Sequence, residues 1–223
     1  MSADLVIFDC DGVLVDSEPI SIAVLREVIA ASGHDIDEAT AYRLFLGRSM
    51  TTIRETLAAH CGLAFDDTHL IEIRRLLFMR FAAELRPIPH IRETLLALRN
   101  RRCVASSSKP ERIRFSLRAT GLLDLLEPSI YSATMVRRGK PAPDLFLHAA
   151  RAMAAEPSAC IVVEDSPAGI EAAKAAGMRV LAFGGGAHAA PGALHEAFRA
   201  LKPDAVFDDM RQLPSMVAEM GRS

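Results

Sequence analysis

Six short apolar runs rich in branched residues punctuate the chain, at Leu5 to Phe8, Arg102 to Ala105, Ser129 to Tyr131, Ile161 to Val163, Val180 to Phe183 and Ala205 to Phe207. Longer stretches with apolar residues at helical spacing separate them, so the pattern predicts strands alternating with helices. Alternation of that kind builds a parallel sheet covered on both faces by helices, an α/β fold, because each parallel pair needs a crossover. The rhythm breaks once. Between the first and second runs lie about ninety residues without a strand pattern, far more than a single crossover requires. They read as four helices: Pro19 to Ser32, closed by Gly33; Asp37 to Leu46, closed by Gly47; Ser49 to Cys61, with Ser49 as N-cap and Gly62 as the stop; and Asp67 to Leu85, ended before Pro87. Ile71, Leu76, Leu77, Phe78 and Phe81 give the last of these an apolar face, expected to be core and not a cofactor contact. The organisation expected is a sheet core of residues 1–14 and 86–223 with an inserted all-helical cap of residues 15–85, hinged near Val15-Asp16 and Arg86-Pro89.

Composition narrows the class of partner. With 223 residues, 50% of them hydrophobic, the chain can fill one large core and a smaller one. A net charge of -2 provides no basic field for nucleic acid or anionic lipid, which favours a small-molecule partner. No basic leader precedes Leu5 and no apolar run approaches about 20 residues, so no membrane span and a cytoplasmic location are expected. Cys10, Cys61, Cys103 and Cys160 show neither CxxC spacing nor histidine partners and read as reduced structural residues. The seven histidines likewise form no ligand spacing.

Candidate chemistry gathers at the ends of the strand patterns, where ligands of an open α/β sheet bind. The first run leads into Asp9-Cys10-Asp11-Gly12-Val13. Carboxylates at i and i+2 of an extended segment point the same way and repel unless a cation or a proton lies between them, so a bivalent metal, Mg2+, is implied. The second run leads into Ser106-Ser107-Ser108-Lys109-Pro110 and the fourth into Glu164-Asp165-Ser166-Pro167-Ala168-Gly169, while Gly139-Lys140-Pro141-Ala142-Pro143-Asp144 forms a stiff loop between them. Hydroxyls and N–H groups at a helix start suit phosphate, acidic residues suit Mg2+, and lysine suits charge neutralisation. Each segment taken alone has a plainer explanation as a turn or a helix cap. Of the 26 basic residues only Lys109, Lys140, Lys174 and Lys202 are lysines, and two of these fall in the proposed phosphate segments. Gly184-Gly185-Gly186 reads as a flexible loop before a phosphate cradle, and Arg48, beside the turn at Gly47, as an exposed arginine that cap closure could bring to an anionic or hydroxylated substrate.

FDCDGVLVDSE, VASSSKP, RGKPAPDLF and VVEDSPAGIEAAKAAGM together resemble the haloacid dehalogenase superfamily of phosphotransferases, in the branch of β-phosphoglucomutase and small sugar-phosphate phosphatases, over essentially the whole chain. The resemblance implies a Rossmann-like core with a four-helix cap. It implies Asp9 as nucleophile, Asp11 as general acid/base, and Ser106, Ser107, Lys140 and Gly12 as binders of the phosphoryl group. Mg2+ would be held by the Asp9 carboxylate, the Asp11 carbonyl and Asp165, with Glu164 as ligand or as partner of one. The expected function is an Mg2+-dependent phosphomonoester hydrolase that works on a small phosphorylated metabolite, such as a sugar phosphate, through an aspartyl phosphate. A phosphomutase is the rival reading and a non-catalytic binding protein the third. Ser21 stands where the mutase pattern aligns a histidine, and Leu46 and Met50 where it aligns basic residues, which favours hydrolysis.

Overall fold

Each of the six apolar runs becomes a strand: β1 Leu5–Phe8, β2 Arg101–Ser106, β3 Ile130–Ser132, β4 Cys160–Glu164, β5 Arg179–Phe183 and β6 Ala205–Phe207. In the computed structural model, which describes residues 3–46, 50–187 and 198–221, they form one parallel sheet in the order β3-β2-β1-β4-β5-β6. Central β1 is buried along all of Leu5, Val6, Ile7 and Phe8, each worth about 1.5–3 kcal/mol on removal from water. Burial on both faces is why a parallel strand reads as a continuous apolar run and not as an alternation. Leu5 and Ile7 share one core cluster with Cys103, Val162, Phe146 and Ile170. Val6 and Phe8 point to the opposite face. Both edge strands have only three residues, which limits the open edge they present.

Helices of this unit include α5 Ile91–Ala97, α6 Pro110–Ala119, α7 Leu123–Leu126, α8 Asp144–Ala152 and α9 Pro167–Ala175, with a last helix at Leu213–Met220; the inserted unit carries α1 Glu18–Ala31, α2 Glu38–Phe45, α3 Met50–Cys61 and α4 Asp67–Glu84. The chain divides into Met1–Asp16 with Arg86–Ser223 and, separately, Ser17–Leu85. In the first unit the two connecting segments pair with each other: Asp16 N–H donates to Arg86 O and Ile88 N–H to Leu14 O, both at 3.0 Å. The triple glycine follows β5 as an irregular loop. Gly184 N–H donates to Phe207 O at 2.9 Å, and a Cβ on Gly185 would lie 2.0 Å from Asp208 O, so these glycines let one backbone approach another. All four cysteines are free, and burial pushes the Cys160 thiol up to about 11, which leaves it protonated and inert.

Within the helical unit α1 packs on α4 and α2, and α2 on α3. Asp37 caps α2 by accepting from Thr40 N–H, and Asp66 caps α4 by accepting from the Thr68 and His69 N–H groups. The buried face of α4 is Ile73, Leu76, Leu77 and Phe81, and the expectation for Ile71 fails: it is 68% exposed. At about 3.6 residues per turn, Ile71 and Phe78 lie together on the flank away from Ile73 and Leu77, and Phe78 is half-buried beneath Arg74, whose guanidinium carbon sits 5.7 Å from the ring centre. Gly47 and the Ser49 N-cap lie outside the described residues. Among the described residues no helix is long and apolar enough to cross a membrane.

Candidate active site

Strand order reverses at β1 and β4, and the crevice beyond their carboxyl ends is where a sheet of this topology binds its ligand. Asp9 follows β1 directly, its N–H donating to Val163 O at 3.0 Å. The backbone then tightens into a loop in which the Leu14 and Val15 N–H groups both donate to Cys10 O. Gly12 adopts a φ of 80° there, a conformation that strains any residue with a Cβ. Its N–H donates to Val15 O at 2.8 Å. That N–H is therefore satisfied within the loop, and Gly12 folds the turn that follows Asp9.

Lys140 reaches into the same crevice and donates to Asp9 Oδ1 and Glu164 Oε1, at 2.6 Å each. Its side chain is 5% exposed, and Nζ lies 5.0 Å from the Phe146 ring centre. Lys109, the other lysine expected near phosphate, is exposed at the start of α6. One ammonium thus stands among the carboxyls of Asp9, Asp11, Glu164 and Asp165. Burial chiefly pushes the Asp9 carboxyl well above its ordinary value; Lys140 opposes the shift, and Glu164, Asp165 and Asp11 add to it. Desolvation pulls Lys140 down, but Asp9 and Glu164 outweigh it and hold the side chain above an ordinary lysine, as an ammonium.

Glu164, the last residue of β4, is fully buried. Its Oε2 accepts from Asp165 N–H at 3.0 Å, Ser166 N–H at 2.9 Å and Ser166 Oγ–H at 2.9 Å, while Oε1 takes Lys140. Ser166 Oγ in turn caps α9 through Gly169 N–H. Carboxylate oxygens of Asp9, Glu164 and Asp165 all lie within 4.8 Å of one another, a set of hard oxygen donors that fits a divalent metal ion. Both Glu164 oxygens are already tied to the protein.

Gly169 makes this arrangement possible. A Cβ there would fall 1.8 Å from Glu164 Oε1, so Gly169→Ala must push the carboxylate off Lys140. The expected cost is about 1–3 kcal/mol of stability and, through the displaced lysine, about a hundredfold in turnover. Thermal melting and phosphate release on the purified variant check this, and wild-type values for both would show that Glu164 has room to move.

The serine segment is not merely a helix cap. Lys109 holds the N-cap position of α6 without a side-chain hydrogen bond, and Pro110 opens the helix. Buried Ser106 accepts Ser108 N–H on its Oγ at 3.1 Å, and Ser107 is exposed. Ser108 Oγ–H donates to Asp11 Oδ2 at 2.7 Å, and Arg112 Nη2 donates to Asp11 Oδ1 at 3.0 Å. Asp9, Lys140, Glu164 and Asp165 therefore form one cluster, and Asp11 sits beside it in the grip of Ser108 and Arg112. Arg48 lies outside the described residues. The sequence reading missed Arg112 and Gly169. Arg112 was findable as a basic residue in the first turn of a helix that opens at a strand end, and Gly169 as the N3 residue after a Ser166 cap.

Known proteins resemble this chain in sequence and fold. A family model described as haloacid dehalogenase-like hydrolase matches residues 3–177. The 6-phosphogluconate phosphatase of Escherichia coli (strain K12) is 30% identical over 189 residues, 84% of this chain and 86% of the relative. Fructose-1-phosphate phosphatase of the same strain is 31% identical over 178 residues, 77% of this chain and 92% of the relative. Among solved structures, a haloacid dehalogenase-like protein of unknown function from Agrobacterium tumefaciens str. C58 has a TM-score of 0.87 at 35% identity, covering 97% of this chain and 98% of its own.

Proposed function

The chain belongs to the haloacid dehalogenase-like hydrolase family and is a phosphatase, and from this we propose that it is an Mg2+-dependent phosphomonoesterase acting on a small phosphorylated sugar or sugar acid, with Asp9 as its nucleophile. One observation carries the reading: a single buried ammonium, Lys140, spans Asp9 and Glu164 beside Asp165. It supports a nucleophilic oxygen, a cation for the phosphoryl oxygens and a metal-capable acidic group at one strand-end crevice. Names of relatives that act on 6-phosphogluconate and fructose 1-phosphate support the substrate class. In this reading the four-helix unit serves as the cap domain and contributes to substrate selection.

Asp9 attacks phosphorus, the bond from phosphorus to the leaving oxygen breaks, and an aspartyl phosphate forms. Lys140 offsets charge on the transferring oxygens, with Ser106 and Ser107 as further donors. Asp11 protonates the departing alkoxide, then takes a proton from the water that attacks phosphorus and frees Asp9. The Asp9 and Asp165 carboxylates with the Asp11 carbonyl would hold Mg2+, which when bound adds positive charge at the phosphoryl oxygens. Glu164 acts here through Lys140, keeping its ammonium charged and aimed.

A panel of phosphorylated sugars and sugar acids, assayed for inorganic phosphate with Mg2+ and again with excess chelator, tests the reading. Phosphate release with Mg2+ and loss of at least about a hundredfold on chelation are expected, since the metal supplies several kcal/mol to such reactions. Undiminished turnover in chelator would remove the metal from the mechanism. Isomerised sugar without net phosphate release would replace hydrolysis by mutase chemistry.

A further inference from the structure

One short segment reaches both carboxylate oxygens of Asp11: Ser108 Oγ–H donates to Oδ2 at 2.7 Å and Arg112 Nη2 to Oδ1 at 3.0 Å. Ser108 is itself fixed. The buried Ser132 hydroxyl, at the end of β3, donates to Ser108 O at 2.7 Å, and Ser108 N–H is tied to Ser106 Oγ at 3.1 Å. Arg112 follows in the first turn of α6, where the helix holds its backbone rigid. Neither member of the Asp11–Arg112 pair is fully exposed, with side-chain exposures of 15% and 26%, so solvent screens the contact less than it would a surface ion pair.

A general acid must lie within hydrogen-bond reach of the atom it protonates, and an unrestrained aspartate samples several rotamers. We infer that Arg112 and Ser108 are positioning residues that set the Asp11 carboxyl in one orientation toward the leaving-group oxygen. The inference rests on the proposed role of Asp11. The two contacts have different chemistry. A guanidinium only donates, whereas the serine hydroxyl donates or accepts, so the Ser108 contact survives whichever protonation state Asp11 adopts. The same loop carries Ser106 and Ser107, so the donors proposed for phosphate and the orientation of the acid are built on one piece of backbone.

The test compares single-turnover phosphoryl transfer from a sugar phosphate, whose alkoxide leaving group needs a proton, with that from p-nitrophenyl phosphate, whose leaving group needs little. Arg112→Met is expected to slow the sugar phosphate about a hundredfold and the aryl ester no more than about threefold, with inorganic phosphate affinity held within about twofold. Arg112→Lys should recover part of the loss. Combined with Asp11→Asn, Arg112→Met should add nothing, because the group being positioned is gone. Ser108→Ala should show the same selectivity with a smaller loss, about tenfold, and serves as the test if Arg112→Met does not fold. Equal losses on the two substrates, or additivity in the double variant, would overturn the inference and leave Arg112 with a structural role. Asp11→Asn run alongside separates the two levels. If it does not discriminate between the substrates, the acid role of Asp11 falls and the inference with it; if it does while Arg112→Met and Ser108→Ala do not, the inference alone falls.

Discussion

Asp9→Asn is expected to cut phosphate release by about 10^4-fold or more while leaving the protein at least as stable as the parent without metal. The first half follows from chemistry, because an amide oxygen is a poor nucleophile and a weaker metal ligand. The second half comes from the surroundings of Asp9. In the unsubstituted protein this buried carboxyl lies near Glu164, Asp165 and Asp11, with Lys140 as the opposing charge, and the amide removes one negative charge from that crowd while its oxygen can still accept from Lys140. Phosphate release and thermal melting with and without Mg2+ are the measurements. Turnover within about tenfold of the parent would exclude Asp9 as the nucleophile.

Lys140→Met should be the most damaging single change to stability and activity together. It leaves Asp9 and Glu164 facing each other with their shared ammonium gone, and breaking a buried pair from one side costs about 3–5 kcal/mol. Phosphoryl transfer should fall by about 10^3-fold, the scale of losing one preorganised electrostatic partner. The pH dependence has a definite sign. Although desolvation pulls it down, Lys140 is held above its ordinary value by Asp9 and Glu164. Its contribution to stability is therefore complete below the unfolded lysine value of 10.5 and is lost only as pH rises through the higher folded value. The melting difference between parent and variant should hold steady from neutrality to mildly alkaline pH and shrink above that unfolded value. On the acid side it should shrink as well, because Asp9, already raised by burial, takes up a proton more readily once Lys140 no longer opposes it. A difference that grows on acidification would mean that Lys140 does not stabilise the fold through these two carboxylates.

Much of this molecule is legible residue by residue. Strand β1 is read correctly to both ends because a central parallel strand is buried on both faces, so Leu5, Val6, Ile7 and Phe8 must all be apolar. Asp9 and Asp165 are legible for a related reason: a carboxylate directly after such a strand is held at the rim of the sheet, where ligands bind, and Asp11 follows two residues after Asp9. Strand β4 shows the limit. The apolar pattern ends it at Val163, yet the strand runs through Glu164, fully buried. Hydropathy marks a charged residue as an end, because burying a lone carboxylate is costly. Here Lys140, 24 residues away, and the N–H groups opening α9 meet that cost. Ile71 fails for the opposite reason: an apolar residue is free to stand on a helix surface, and only the angular position of Ile73 and Leu77 shows which flank is core.

The sequence by itself determined the class of fold, the insertion of four helices between β1 and β2, and the strand ends that carry acidic, hydroxyl and lysine side chains, since each of these depends on periodicity and order along the chain. Tertiary structure alone decided that one lysine serves two carboxylates, that Gly169 must lack a Cβ to leave room for Glu164, that the Gly12 N–H is spent within its own loop, and that Arg112 closes on Asp11 from 101 residues away. These are matters of a few tenths of an ångström and of charge balance among segments that meet only when the sheet assembles. Binary pattern is local and blind to them, because the free energy of a buried charge is set by the atoms around it and not by its neighbours in sequence.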